Sequence, residues 1–166
     1  MLVSKFKKAP SHLTNKIIED KICLLTLSNP EKRNPLSLSL ISQIQEKLDI
    51  LKKDKKIKVL IINSKGAVFS SGHNLKEVNN LKNKNEGLMK LFNACSKMML
   101  SLQKLPQPVI ASVNGHAAAA GLQLVASCDL VYCSEKATFQ TPGVNIGLFC
   151  STPMVAVSRS INIKNM

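Results

Sequence analysis

Residues 109–123 read VIASVNGHAAAAGLQ. Val109–Val113 is a short apolar run, the composition of a buried strand. Asn114-Gly115 then turns the chain. From Ala117 to Ala126 small residues dominate, and this stretch predicts a helix because Ala is the strongest helix former. Four consecutive Ala and Gly121 leave the helix start bare. A ligand oxygen can approach the free N–H groups there, helped by the helix dipole. Close packing of a helix on a sheet asks for the same residues, so spacing alone does not separate the two readings.

The same pattern occurs upstream. Val59–Asn63 predicts a buried strand, Ser64–Gly72 a loop of small residues, and Leu75–Leu81 a short helix. Phe69-Ser70-Ser71-Gly72-His73-Asn74-Leu75-Lys76-Glu77 is therefore a second sharp turn whose backbone N–H groups lack helical partners. Between the two turns, Leu88, Leu91, Phe92, Cys95, Met98, Met99, Leu102 and Leu105 recur at helical spacing up to Pro106. Further upstream, Lys16–Glu19 and Ile22–Leu27 read as a hairpin around Asp20-Lys21. The loop 29–35, NPEKRNP, is punctuated by two Pro and two Asn. Ser37 or Ser39 caps a helix carrying Leu40, Ile41, Ile44, Leu48 and Leu51, and the Lys52–Lys58 run closes it. Downstream, Leu130–Cys133 and Ala137–Gln140 read as strands. Strands alternating with helices mean α/β with right-handed crossovers.

Composition bounds the rest. The 166 residues are 45% hydrophobic and 20% charged, an ordinary globular balance long enough for one core. Residues 1–14 read as a polar lead-in and residues 15–166 as a single domain. The net charge of +13 is uneven: residues 1–109 hold 20 basic and 8 acidic groups, residues 110–166 hold 3 and 2. A basic chain suits nucleic acid, an anionic surface or a phosphorylated ligand. Nucleic acid is disfavoured, because Arg is nearly absent and aromatics are only 4%. Five Cys, odd in number and without CxxC spacing, argue against a disulfide framework or a zinc site. No uncharged run reads as a membrane span. The N-terminal MLVSKFKKAPSHLTNK has no apolar core of a secretory signal, so the mitochondrial matrix or the cytoplasm is expected.

Three ordered stretches carry a resemblance: LTLSNPEKRNPLS at 25–37, FSSGHNLKE at 69–77, and PVIASVNGHAAAAGLQLVASCDLVYCSEKATFQTPGVNIGLF at 108–149. Together they resemble the crotonase (enoyl-CoA hydratase/isomerase) superfamily over roughly Lys16 to Arg159. The resemblance implies a spiral of ββα turns that binds a coenzyme A thioester as substrate or ligand, with no other cofactor and no metal. It implies that the backbone amides of His73 and Ala120 form an oxyanion hole. The His73 side chain is expected to face solvent while only its N–H serves. Lys32, Arg33, Ser71, Asn74, Leu75 and Lys76 fall on the stretches that meet coenzyme A in that family.

The departures from the family are specific. Its hydratases use two carboxylates as acid and base; the matching positions here are Gln123 and Gly143, and neither exchanges a proton at neutral pH. Asn74 stands where another family acid is familiar. Other chemistry-bearing residues near the inferred pocket are His116, Asn145, Cys150 and Ser151. In the family a further helical region closes the acyl pocket and makes homotrimeric or hexameric contacts. The spiral core here is expected to be incomplete before that region, ending in a short polar tail and exposing apolar surface around Val144–Val157. The leading expectation is an acyl-CoA-binding protein of fatty acid metabolism with weak or no hydratase activity. The alternatives are a non-catalytic remnant or interaction module, and a thioesterase or decarboxylase of altered chemistry.

Overall fold

The computed structural model describes residues 11–162. Most of the polar lead-in lies outside them. Strand β1 (Leu13–Ile18) nevertheless begins within it and pairs antiparallel with β2 (Ile22–Leu27). Glu19 and Asp20 both adopt left-handed φ, 50° and 54°, to turn this hairpin. The chain then runs through a 3-10 turn (Pro30–Lys32), helix α1 (Leu38–Leu51), β3 (Val59–Ser64), β4 (Val68–Ser70), α2 (Leu75–Asn79) and α3 (Lys84–Gln103). It continues through β5 (Val109–Val113), β6 (His116–Ala118), α4 (Ala120–Ala126), β7 (Leu130–Cys133) and β8 (Phe139–Gln140). A second 3-10 turn (Pro142–Ile146) and α5 (Ser151–Ser160) follow.

Two sheets result. One has the order β1-β2-β3-β5-β7, parallel from β2 onward; the other is β4-β6-β8, wholly parallel. Each circuit of the chain adds one strand to each sheet and crosses back through helix. That is the ββα spiral that the resemblance implied, within the α/β class read from the alternation of strands and helices.

The reason for burial is in the periodicity. Alternate residues of β2 and β3 (Cys23, Leu25, Leu27; Leu60, Ile62) face inward, as strand geometry requires. Leu40, Ile41, Ile44, Leu48 and Leu51 of α1 meet them together with Leu91, Cys95, Met98, Met99 and Leu102 of α3. Ser37 caps α1, its side chain accepting from the Leu40 N–H at 3.2 Å. Gln107, next to Pro106, donates to the Leu51 and Asp54 carbonyls at 2.9 Å each, tying the end of α1 to β5.

Three expectations are corrected. The stretch Ser64–Gly72 is not all loop, because Val68–Ser70 forms β4 and buries Phe69 completely. Ala117 and Ala118 are strand rather than helix: the Ala117 and Ala119 N–H groups donate to Thr138 and Gln140 at 2.9 Å. Sheet pairing there overrides the helix propensity of Ala. Arg159 and Ser160 do not open a polar tail but end α5, which packs on α4 and donates Ser160 Oγ to the Ala126 carbonyl at 3.0 Å. Every residue of β7 and β8 is exposed, as are Val144, Ile146, Leu148 and Phe149. Among the described residues no helix is long and apolar enough to cross a membrane.

Candidate functional site

The site is organised by one buried side chain in the first loop. Arg33 and Asn34 both adopt left-handed φ, 62° and 48°. Asn tolerates that conformation, and Asn34 is fully buried. Its Nδ2 donates to the Lys65 and Val68 carbonyls at 2.9 and 2.8 Å, and its Oδ1 accepts from the Asn29 N–H at 2.7 Å. Ser71 N–H donates to the Arg33 carbonyl at 3.0 Å. The loop carrying Lys32 and Arg33 is thereby fixed against the end of β4.

Beyond β4 the chain turns at Gly72, whose φ is +88°. Leu36 N–H donates to the Gly72 carbonyl at 2.7 Å, and Asn74 N–H donates to the Leu36 carbonyl at 3.3 Å. In a parallel bridge of this kind the intervening residue directs its own N–H to the opposite side, so the His73 amide points away from Leu36. A Cβ on Gly72 would lie 3.0 Å from the Ala118 carbonyl oxygen and 3.2 Å from the Ala120 nitrogen. The two turns therefore touch, and only a glycine permits it.

The second turn is strained. Ala119 has φ 48° and ψ −121°, a conformation costly for a residue with a Cβ. It accepts from Gln123 N–H at 3.0 Å, leaving Ala120 N–H in the first turn of α4 without an intrahelical partner. A Cβ on Gly121 would lie 2.5 Å from the Ser70 carbonyl oxygen, so α4 sits directly on β4. Gly72, Ser70, Asn34 and Ala119 thus position the pair His73 and Ala120, and the sequence reading singled out none of these four for that task. Asn34-Pro35 and the Ser-Ser-Gly run are their visible signals; Ala119 has none, standing in a row of identical residues.

At His73 opens a groove of about 620 Å³ lined by Glu31, Lys32, Arg33, Pro35, Ser71, His73, Asn74, Leu75 and Lys76; Ala120, also expected to meet the ligand, does not line it. Seven of these were chosen from sequence. Lys32, Arg33 and Lys76 are exposed and outnumber Glu31 as charges at its rim. The Asn74 side chain caps α2, accepting from Glu77 N–H at 3.3 Å. Glu77 in turn accepts from Leu38 N–H at 3.2 Å, anchoring α2 to α1.

The His73 imidazole does not face solvent as expected. Its Nδ1 is enclosed without a partner, and its ring meets Phe92 edge-on with centroids 5.4 Å apart. Burial pushes its pKa below the usual 6.5, opposed in part by the Leu36 backbone, and so favours the neutral ring.

Gln123 and Gly143, expected at the two carboxylate positions, lie apart from the groove lining. Gln123 is 7% exposed, and its Oε1 meets no donor. Gly143 is buried in the second 3-10 turn, where a Cβ would lie 2.6 Å from Cys150 Sγ and 2.7 Å from the Leu148 oxygen. No carboxylate side chain fits there without a backbone shift. Cys150 lines a separate apolar hollow of about 180 Å³ with Val144, Phe149, Met154 and Val157. His116 Nδ1 lies 2.7 Å from Thr138 Oγ1 at the start of β6, the end opposite α4. Asn145 is exposed in the 3-10 turn, and Ser151 begins α5. Among the described residues no three His, Cys, Asp or Glu side chains gather to hold a metal ion.

The family model for enoyl-CoA hydratase/isomerase matches residues 17–163. Enoyl-CoA hydratase domain-containing protein 3, mitochondrial, of Xenopus laevis is 49% identical over 165 residues, covering 95% of this chain and 55% of the relative. The Homo sapiens protein of the same name is 49% identical over 142 residues, covering 86% and 46%. The crystal structure of human enoyl Coenzyme A hydratase domain-containing protein 3 superposes with a TM-score of 0.86 at 45% identity, covering 93% of this chain and 60% of that one. An enoyl-CoA hydratase from Mycobacterium smegmatis superposes at 0.88 with 40% identity and the same coverage. The chain spans about half the length of the curated relatives it matches.

Proposed function

Because the chain belongs to the enoyl-CoA hydratase/isomerase family, we propose that it binds acyl-coenzyme A thioesters across the groove and the two adjoining turns. The observation that carries this reading is the contact between the turns: Gly72 brings the His73 and Ala120 backbones together beside a cation-rimmed groove. The two amides hold the thioester oxygen and favour an enolate by directed hydrogen bonds. Lys32, Arg33 and Lys76 face the phosphates of coenzyme A as charged donors. The neutral, enclosed His73 ring adds no charge beside the thioester.

Hydration is not part of this proposal. Gln123 has no proton to exchange, and Gly143 has no side chain to offer one. The backbone donors are present without an acid–base pair, which suits binding or enolate stabilisation alone. The relatives named above are called mitochondrial, and a place in mitochondrial fatty acid metabolism follows for this chain as part of the same reading.

A second reading has its own observation. The exposed apolar residues of β7, β8 and the second 3-10 turn favour a module that is stable only in association. One experiment separates the two. The purified protein is melted with and without a short enoyl-CoA. A cooperative transition raised by ligand supports the thioester site by mass action. A cooperative transition that does not move defeats it, and a melt with no cooperativity favours the associating module.

A further inference from the structure

We propose that the lysine-rich turn between α1 and β3 docks the protein onto an anionic phospholipid bilayer, leaving the groove open to water at the far end of α1. Residues 52–58 read KKDKKIK, five lysines and one acid in seven positions, and all five lysines are exposed. Complementing the α1 dipole asks for a cation or two at the helix end, not five. Asp54 Oδ1 accepts the Lys56 N–H at 2.9 Å, so this carboxylate is engaged by the turn itself. Lys21 and Lys104 adjoin the run, and Glu19, Asp20 and Asp49 at its margins still leave lysine in excess. The groove does not account for this charge. Pro35 lines the groove and Ser37 caps the start of α1, whereas Lys52 closes its end. The 14 residues of α1 hold the two about 20 Å apart. That is more than two Debye lengths at physiological salt.

The turn offers its lysines on a backbone held at several points. Leu51 and Ile57 anchor it in the core. Gln107 donates to the Leu51 and Asp54 carbonyls, and Lys58 N–H donates to the Lys21 carbonyl at 2.7 Å. Lys58 folds its ammonium back onto the Lys55 carbonyl at 2.8 Å. Lys52, Lys53, Lys55 and Lys56 remain as exposed cations. At a bilayer their apolar stems enter the headgroup region while the ammonium groups meet phosphates. Ile50, 59% exposed in the last turn of α1, stands beside them and adds an apolar side chain for the acyl boundary. Nucleic acid is gripped by Arg forks and aromatic faces, and residues 50–58 hold neither.

The test is sedimentation of the purified chain with phosphatidylcholine vesicles holding about one-third phosphatidylglycerol, against vesicles of phosphatidylcholine alone. The anionic vesicles should carry the protein down at about 0.1 M salt and release it at about 1 M, where the Debye length shrinks to about 3 Å. The neutral vesicles should leave it in solution. Lys52→Gln, Lys53→Gln, Lys55→Gln and Lys56→Gln together should weaken binding by about a hundredfold or more, since each lysine near such a surface is worth about fivefold. Lys82→Gln, Lys84→Gln, Lys90→Gln and Lys136→Gln together remove the same charge from other exposed positions and should leave most of the binding in place. Equal losses in the two fourfold variants overturn the inference, because net charge alone then governs binding. For the unaltered chain, no sedimentation with anionic vesicles, or sedimentation indifferent to salt, overturns it without recourse to any variant. A single-stranded oligonucleotide of equal total phosphate that strips the chain from the vesicles assigns the surface to nucleic acid and overturns it as well.

Discussion

Ser70 donates its buried hydroxyl to the Asn34 carbonyl at 2.8 Å, and the same oxygen accepts the Gly72 N–H at 3.3 Å. One side chain therefore links the first loop to the turn that presents the His73 amide. Ser70→Ala should lower unfolding stability by about 1–3 kcal/mol, the penalty for leaving buried polar groups unpaired. Asn34→Ala should lower it further, because three hydrogen bonds and tolerance of left-handed φ go together. Urea midpoints at constant m-value report both. An unchanged midpoint for Ser70→Ala would mean that the main-chain bonds alone secure the loop.

Ala119 stores strain at the entrance to α4. Ala119→Gly should stabilise the fold by about 1 kcal/mol, because glycine occupies that φ without penalty. A lowered melting temperature would show that the added freedom of the unfolded chain outweighs the relieved strain.

The His73 ring gives the protein an acid sensitivity. Its folded-state pKa lies below the ordinary 6.5 because burial disfavours the charged ring. The unfolded chain therefore binds the proton first, and stability falls as pH drops through the unfolded value toward the folded one. The full contribution is present above about pH 6.5. His73→Gln should flatten the difference between urea midpoints taken at about pH 7.5 and about pH 5.5. If the difference persists in the variant, another group is responsible.

The first loop and the turn after β4 were legible in the sequence because they carry residues with distinct physical signatures. Those signatures marked the turns; the resemblance to the family named Lys32, Arg33, Ser71, His73, Asn74, Leu75 and Lys76 on them, and all seven line one groove. What was not legible has physical causes. Val68–Ser70 is too short to show a period, and its strand exists only through pairing with β6. Ala117–Ala118 follows its sheet partner rather than its propensity. Ser151–Ser160 forms a helix by packing on α4, although its weakly patterned sequence does not announce one. The orientation of His73 depends on Phe92, nineteen positions away on α3, which no local pattern encodes.

The five thiols should separate by reactivity. Cys133 is exposed, whereas Cys23 and Cys95 are buried. Burial pushes the Cys95 thiol up to about 11, and burial with Asp129 nearby pushes Cys128 up to about 12. A thiol-reactive dye at neutral pH should label Cys133 fast in the native protein, and Cys133→Ser should remove that phase. Cys95 and Cys128 should react only on unfolding, since the thiolate is the reactive form. Fast labelling of either would mean that α3 or α4 opens readily.

The spiral sheets also order assembly in time. Each strand from β5 onward pairs with one laid down a single circuit earlier: β5 with β3, β6 with β4, β7 with β5 and β8 with β6. β4 waits one circuit for its partner β6. The chain can therefore settle circuit by circuit as it leaves the ribosome, each completed layer templating the next.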